Sequence, residues 1–200
     1  ALMSDKSKAK DVMREAGIPV IEGSNGAIKD YKDAQKIAKK IGYPVIIKAA
    51  AGGGGRGMRI VESEEALKNA ILAAESEAVS AFGDGSIYME KFIKNPKHIE
   101  VQVLADKKGN VIHIGERDCS AQRRQQKLIE ESPAVVLSDE VRANLLETAV
   151  RAAKYIKYEG AGTFEFLLDN NKKDFYFMEM NTRLQVEHTV SEMVSSLDLI

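Results

Sequence analysis

The chain has 200 residues, 44% of them hydrophobic and 30% charged, with a formal net charge of −1. That is an ordinary globular composition, and its near-neutral balance excludes a global field that would draw nucleic acid or an anionic membrane, so basic side chains must act locally. No apolar stretch approaches the ~20 residues of a membrane span, no signal peptide is apparent, and the single cysteine, Cys119, excludes an internal disulfide; the expected setting is cytoplasmic, with no nucleic-acid or membrane partner.

In chain order, residues 4–16 read as a helix with Ser4 as N-cap and Gly17 as stop, and residues 18–21 as an extended segment. A second helix is expected over 31–41. Residues 43–48 and 58–61 are apolar, β-rich runs on either side of the glycine stretch GGGGRG at 52–57, which gives strand, loop, strand. Ser63 is placed to cap a long helix from Glu64 to about Ala81, with Glu64 and Glu65 in the first turn where the helix dipole favours carboxylates. Three strands follow, at 86–92, 98–105 and 110–117, the last two joined by the turn KKGN. Residues 138–156 are helical, with Val141, Leu145, Ala149, Ala152 and Ile156 near one face. A final hairpin pairs 163–168 with 175–180. The whole is α+β, in two lobes.

The glycine stretch satisfies G-x-G-x-x-G, yet the dinucleotide fingerprint needs a helix directly after the loop, and MRIV at 58–61 is β-branched and alternating. It also lacks the Gly-Lys-Ser/Thr ending of a P-loop. Each glycine costs on the order of 0.5–1 kcal/mol relative to Ala, and an ordinary hairpin turn has no use for four in a row. A loop whose backbone N–H groups close over phosphates explains them, and Lys48, at the end of the preceding strand, supplies a point charge for the same ligand.

The last hairpin carries the densest chemistry. Glu165 on GTFEF and Glu179 on FYFMEMN alternate with bulky apolar neighbours, so the two carboxylates can face each other across adjacent strands. Facing like charges destabilise a sheet unless a counter-ion joins them; Mg²⁺, which takes hard oxygen ligands, fits, with Asn181 adding a neutral oxygen. The plainer reading, a solvated strand face, stands beside it. The loop NTRLQVEH at 181–188 offers Arg183 as a bidentate clamp for a planar anion and Glu187 as a general base, or else simply connects strand to helix. The basic stretch RDCSAQRRQQK at 117–127 is left open by its charge alone.

Taken together, IIKAAAGGGGRGM at 46–58, MEKF at 89–92, ERDCS at 116–120, QKLIEE at 126–131, GTFEF at 162–166, EMNTR at 179–183 and QVEH at 185–188 make the chain resemble the ATP-grasp core of biotin carboxylases. The resemblance covers essentially the whole sequence. It implies an ATP-grasp fold, two α+β lobes with antiparallel sheets gripping the nucleotide: residues 1–93 as N-terminal helices and small lobe with its glycine-rich lid, the small lobe at about 20–93, and 94–200 as large lobe. The implied cofactors are ATP and Mg²⁺ (or Mn²⁺), with bicarbonate activated as carboxyphosphate, biotin as final substrate, and a biotin carboxyl carrier protein as partner. Full-length members commonly dimerise, and a dimer is carried as an open alternative.

Position by position, the resemblance implies Lys6 and Lys48 as phosphate contacts and Gly53, Gly54, Gly55, Gly57 and Met58 as lid. It implies Glu90, Lys91, Phe92 and Ile93 as the adenine hinge, with Leu167 beneath the ring, and His98, Gln122 and Lys127 on the ribose and phosphate side. Glu165, Glu179 and Asn181 correspond to the metal ligands. Arg183, Gln185, Val186 and Glu187 correspond to the bicarbonate site, with Glu187 as base. Departures from the family pattern are Gln125 where a histidine is usual, Thr189 and Ser191 in the Glu-His-Pro-Val-Thr-Glu segment, and Ser195-Ser196 before Leu197. A leading Rossmann-like domain and a C-terminal remainder are expected of the family and absent from this sequence. Two alternatives to a carboxylase core are therefore kept, an ATP-binding module without turnover and an ATP-grasp ligase acting on another carboxylate.

Overall fold

The computed structural model describes residues 3, 6–24, 26–51, 58–123 and 126–200. The chain divides into two compact units, one of residues 1–20 with 94–200 and one of residues 21–93. Residues 1–20, which the sequence reading set ahead of a small lobe at about 20–93, thus join the larger unit. The reason is apolar: Ala9 and Met13 of helix α1 (Lys6–Glu15), with Ile18 after it, are buried in the same core as Phe164, Phe166 and Phe177.

The smaller unit holds α2 (Tyr31–Ile41), β1 (Val45–Ala49), β2 (Arg59–Val61), α3 (Glu64–Phe82) and β3 (Ile87–Lys91). Its antiparallel sheet runs β2-β1-β3. Val45, Ile47 and Ala49 alternate inward along β1 against Leu67, Ile71, Ala74 and Ala78 of α3. Ser63 does not cap α3 as expected, since its side chain makes no hydrogen bond to the helix backbone; its hydroxyl pairs instead with the Glu65 carboxylate, whose pKa it lowers.

The larger unit adds β4 (Lys97–Ala105), β5 (Val111–Arg123), β6 (Gln126–Glu131), α4 (Asp139–Tyr155), β7 (Gly160–Leu168), β8 (Phe175–Asn181) and α5 (His188–Ser195). Five strands form one antiparallel sheet in the order β6-β5-β4-β7-β8. Ile99, Val101 and Val103 of β4 with Phe164, Phe166 and Leu168 of β7 face the core, which α1 and α4 also line. The Phe166 and Phe175 rings meet edge to face at 5.6 Å, a geometry that sets the positive ring edge against a negative face. α4 is capped as its sequence demands, Ser138 Oγ accepting from the Val141 N–H at 3.3 Å. The segment at 117–127 is the main correction to the sequence reading: β5 runs on to Arg123 and pairs antiparallel with β6, Gln122 opposite Lys127 and Ala121 opposite Ile129. No helix of the described residues is long and apolar enough to cross a membrane.

Candidate active site

Strand register writes the site. Arg117 of β5 lies opposite Glu100 of β4, Glu100 opposite Glu165 of β7, and Glu165 opposite Glu179 of β8. Because side chains alternate along strands, these four occupy one face, away from the phenylalanine core, in a row across the sheet. Gln102 and Thr163, also opposite each other, form the next row with Asn181. The expected facing of Glu165 and Glu179 is thus present, and it is extended by Glu100 and Arg117, which the sequence had not singled out as site residues.

Glu100 and Glu165, and Glu187 beside them, are carboxylates in or beside a low-dielectric surface and need cations. Lys127, on β6, supplies one: its ammonium donates to Glu100 Oε2 and Glu187 Oε1 and lies 3.4 Å from Glu165 Oε1. Arg117, fully buried, supplies the other, its Nε 2.6 Å from Glu100 Oε1. Burial opposes the charge on Lys127, but Glu100 and Glu165 prevail and raise its pKa. Burial likewise works to raise Glu165, yet His98, Lys127 and Gln185 hold it down to about 2. At Glu187, burial is overcome by the Lys127 hydrogen bond and the pKa falls. Both carboxylates are therefore anionic at neutral pH.

Around Glu165 the remaining partners converge. Asn181 Nδ2 and Gln185 Nε2 donate to its Oε1 at 2.8 and 3.2 Å. His98 Nε2 lies 3.0 Å from Oε2, at ion-pair distance though not aimed along a hydrogen bond. Gln122 Nε2 donates to His98 Nδ1 at 2.8 Å and to the Cys119 carbonyl at 2.8 Å, which fixes the orientation of the ring. Cys119 is buried, and its thiol donates to Glu130 Oε2 at 2.5 Å. Burial, then Glu100, pushes that thiol far up, so it is no nucleophile.

Other expected residues stand apart from this cluster. Arg183 is exposed, its NH1 donating to the neighbouring Leu184 carbonyl at 3.2 Å, and Val186 is also exposed. Gln185, by contrast, belongs to the cluster through Glu165; it is buried, and its Oε1 has no hydrogen-bond partner among the described residues. Leu167 is half-buried opposite His98. In the smaller unit, Lys48 pairs with Glu90 at 2.7 Å and lies 5.9 Å from the Tyr88 ring centroid. At the hinge, the N–H groups of Lys91 and Phe92 donate to the Glu22 and Pro44 carbonyls, and the Lys91 ammonium to the carbonyls of Gly42 and Tyr43. Those two amides are therefore committed to the fold. Met58 is half-buried just before β2. Gly53, Gly54, Gly55, Gly57, Gln125 and the Lys6 side chain lie outside the described residues.

The fold and this charged row define an ATP-grasp protein. The chain belongs to the family described as carbamoyl-phosphate synthase L chain, ATP binding domain, whose model matches residues 5–200. It is 56% identical to a biotin carboxylase of Nostoc over 199 residues, which is 100% of this chain and 44% of that protein. A crystal structure of a biotin carboxylase–β-γ-ATP complex from Campylobacter jejuni is similar at 69% identity and a TM-score of 0.92, covering 99% of this chain and 44% of that one. The biotin carboxylase domain dimer of Hydrogenobacter thermophilus 2-oxoglutarate carboxylase, in complex with MgADP, ADP and bicarbonate, is similar at 56% identity and a TM-score of 0.90, with 99% and 44% covered. The chain thus spans less than half the length of these relatives.

Proposed function

We propose that this chain binds Mg·ATP and provides the phosphoryl-transfer half of a biotin carboxylase, in which ATP activates bicarbonate as carboxyphosphate before biotin is carboxylated. The observation that carries the reading is the Lys127 ammonium held among Glu100, Glu165 and Glu187 on one sheet face. Such a cation, preorganised in a partly dry site, stabilises charge developing on transferred phosphoryl oxygens. The ionised Glu187 carboxylate is the acceptor for the bicarbonate proton. Glu165 and Glu179, opposite each other, fit Mg²⁺ as hard oxygen donors. Asn181 presents its Nδ2 to Glu165 and joins them as a ligand only with its amide turned over. Bound there, Mg²⁺ neutralises phosphate charge. In the smaller unit, Lys48 and the backbone around Ile93 are the candidate nucleotide contacts.

Biotin and its carrier protein belong to the same proposal as what the family resemblance implies, and a cytoplasmic setting belongs to it on the sequence alone. The exposed position of Arg183, whose guanidinium donates to the neighbouring Leu184 carbonyl, favours a second reading, an ATP-binding module without turnover. Phosphate release from Mg·ATP with and without bicarbonate separates the two, once calorimetry has shown ATP binding. Bicarbonate-stimulated release that is lost in Glu187→Gln with ATP affinity intact supports the catalytic reading. Release indifferent to bicarbonate leaves the module.

A further inference from the structure

Behind the charged row sits a polar cluster with no exposure. Arg117 NH1 donates to Ser191 Oγ at 2.7 Å and to Gln102 Oε1 at 3.1 Å, and NH2 lies 3.5 Å from Thr163 Oγ1. Gln102 Nε2 is in turn held by the Gly162 carbonyl at 3.0 Å. Arg117, Glu100, Gln102, Thr163 and Ser191 are all buried. A guanidinium so placed is costly unless every donor is used, and its planar fork suits several fixed acceptors at once.

Ser191 lies one turn along α5 from its N-cap residue Glu187. The contacts therefore close on themselves: Arg117 to Glu100, Glu100 to Lys127, Lys127 to Glu187, one helical turn to Ser191, and Ser191 back to Arg117. We propose that Arg117 is a positioning residue, which sets Glu187 against Lys127 by anchoring both the carboxylate behind the lysine and the helix that carries the glutamate. This deepens the functional reading above and rests on it for its catalytic meaning. α5 is only eight residues long and has no side-chain cap hydrogen bond at its start. A helix that short has little stability of its own, so its position depends on tertiary anchors. Without the Ser191 link, one of these anchors is lost and Glu187 is free to drift from Lys127.

Arg117→Lys tests the residue directly but threatens folding, so Ser191→Ala in the same 200-residue chain is the decisive variant. Ser191→Thr, which keeps the hydroxyl, and Ser195→Ala, one turn further along and not linked to Arg117, are its controls. The first readout is the carboxyl ¹³C resonance of Glu187 with the ammonium ¹⁵N resonance of Lys127. The expected result is that both move in Ser191→Ala and stay at wild-type positions in Ser191→Thr and Ser195→Ala. Unmoved resonances in Ser191→Ala overturn the proposal. The second is bicarbonate-stimulated phosphate release, expected to fall by about 10- to 100-fold in turnover, as for a misplaced catalytic group, with ATP affinity unchanged. Full turnover in Ser191→Ala also overturns it. A wild-type chain without stimulated release defeats the functional reading instead, while the resonances still decide the positioning.

Discussion

Replacing Lys127 with methionine keeps the aliphatic stem and removes the charge that three carboxylates share. The Lys127 side chain is 20% exposed, whereas those of Glu100, Glu165 and Glu187 are 0%, 5% and 13% exposed. Breaking a buried ion pair from one side costs roughly 3–5 kcal/mol; with the lysine tip partly screened by water and Arg117 still holding Glu100, the lower end, about 3 kcal/mol, is expected at pH 7. The pH dependence has a definite sign. Glu165 is depressed from 4.5 to about 2, so the stability it contributes is present above pH ~4.5 and is lost as pH falls toward 2. Without Lys127 the folded pKa values of Glu165 and Glu187 rise, so the deficit of the variant is greatest at pH 7 and narrows on acidification through ~4.5. Urea unfolding between pH 4 and 7 measures it, read as a lower midpoint at an unchanged slope. Adding Glu187→Gln, which leaves no buried cation without its partner, should recover part of the loss. A deficit below about 1 kcal/mol, flat across this range, would falsify the view that Lys127 neutralises the row.

Glu165→Gln combined with Glu179→Gln should sharply weaken Mg²⁺-dependent ATP affinity in calorimetry and leave adenosine affinity unchanged; equal losses would point to misfolding. Lys48→Ala is expected to lower affinity for ATP far more than for adenosine, because only the phosphates answer an ammonium. At Gly162 a Cβ would sit 2.8 Å from the Tyr158 ring, so Gly162→Ala should destabilise by about 1–3 kcal/mol, and Tyr158→Leu in the same chain should return much of it. A thermal unfolding midpoint unaffected by Gly162→Ala would refute that packing argument. Cys119, buried and with its thiol pKa raised by burial, should resist a thiol reagent in the native chain and react only on unfolding.

Local chemistry was enough to announce most elements. The period-2 apolar pattern marked β1, β3, β4, β7 and β8, helix periodicity with Ser138 at its head marked α4, and Glu165 and Glu179 stood out as carboxylates inside strands of otherwise apolar character. The sequence also carried the ATP-grasp resemblance in full. What it concealed was the partner of each strand. Glu100 and Gln102 alternate with Ile99, Val101 and Val103, a pattern that any half-solvated strand shows, so nothing local distinguished a buried charge row from a wet face. The extension of β5 to Arg123 and its pairing with β6 were hidden for a related reason: a basic stretch reads as solvated until Glu100, far away in sequence, is known to face Lys127.

By itself, then, the sequence determined the α+β class, the antiparallel hairpins and the acidic and basic groups available for nucleotide chemistry, because propensity, capping and side-chain alternation act within a few residues. Only the tertiary structure decided which charges meet. Strand order set Arg117, Glu100, Glu165 and Glu179 in one row, and packing of α5 brought Glu187 and Ser191 to it from the far end of the chain. Those contacts depend on register and on burial, and electrostatic strength follows burial, which no single segment of sequence can specify.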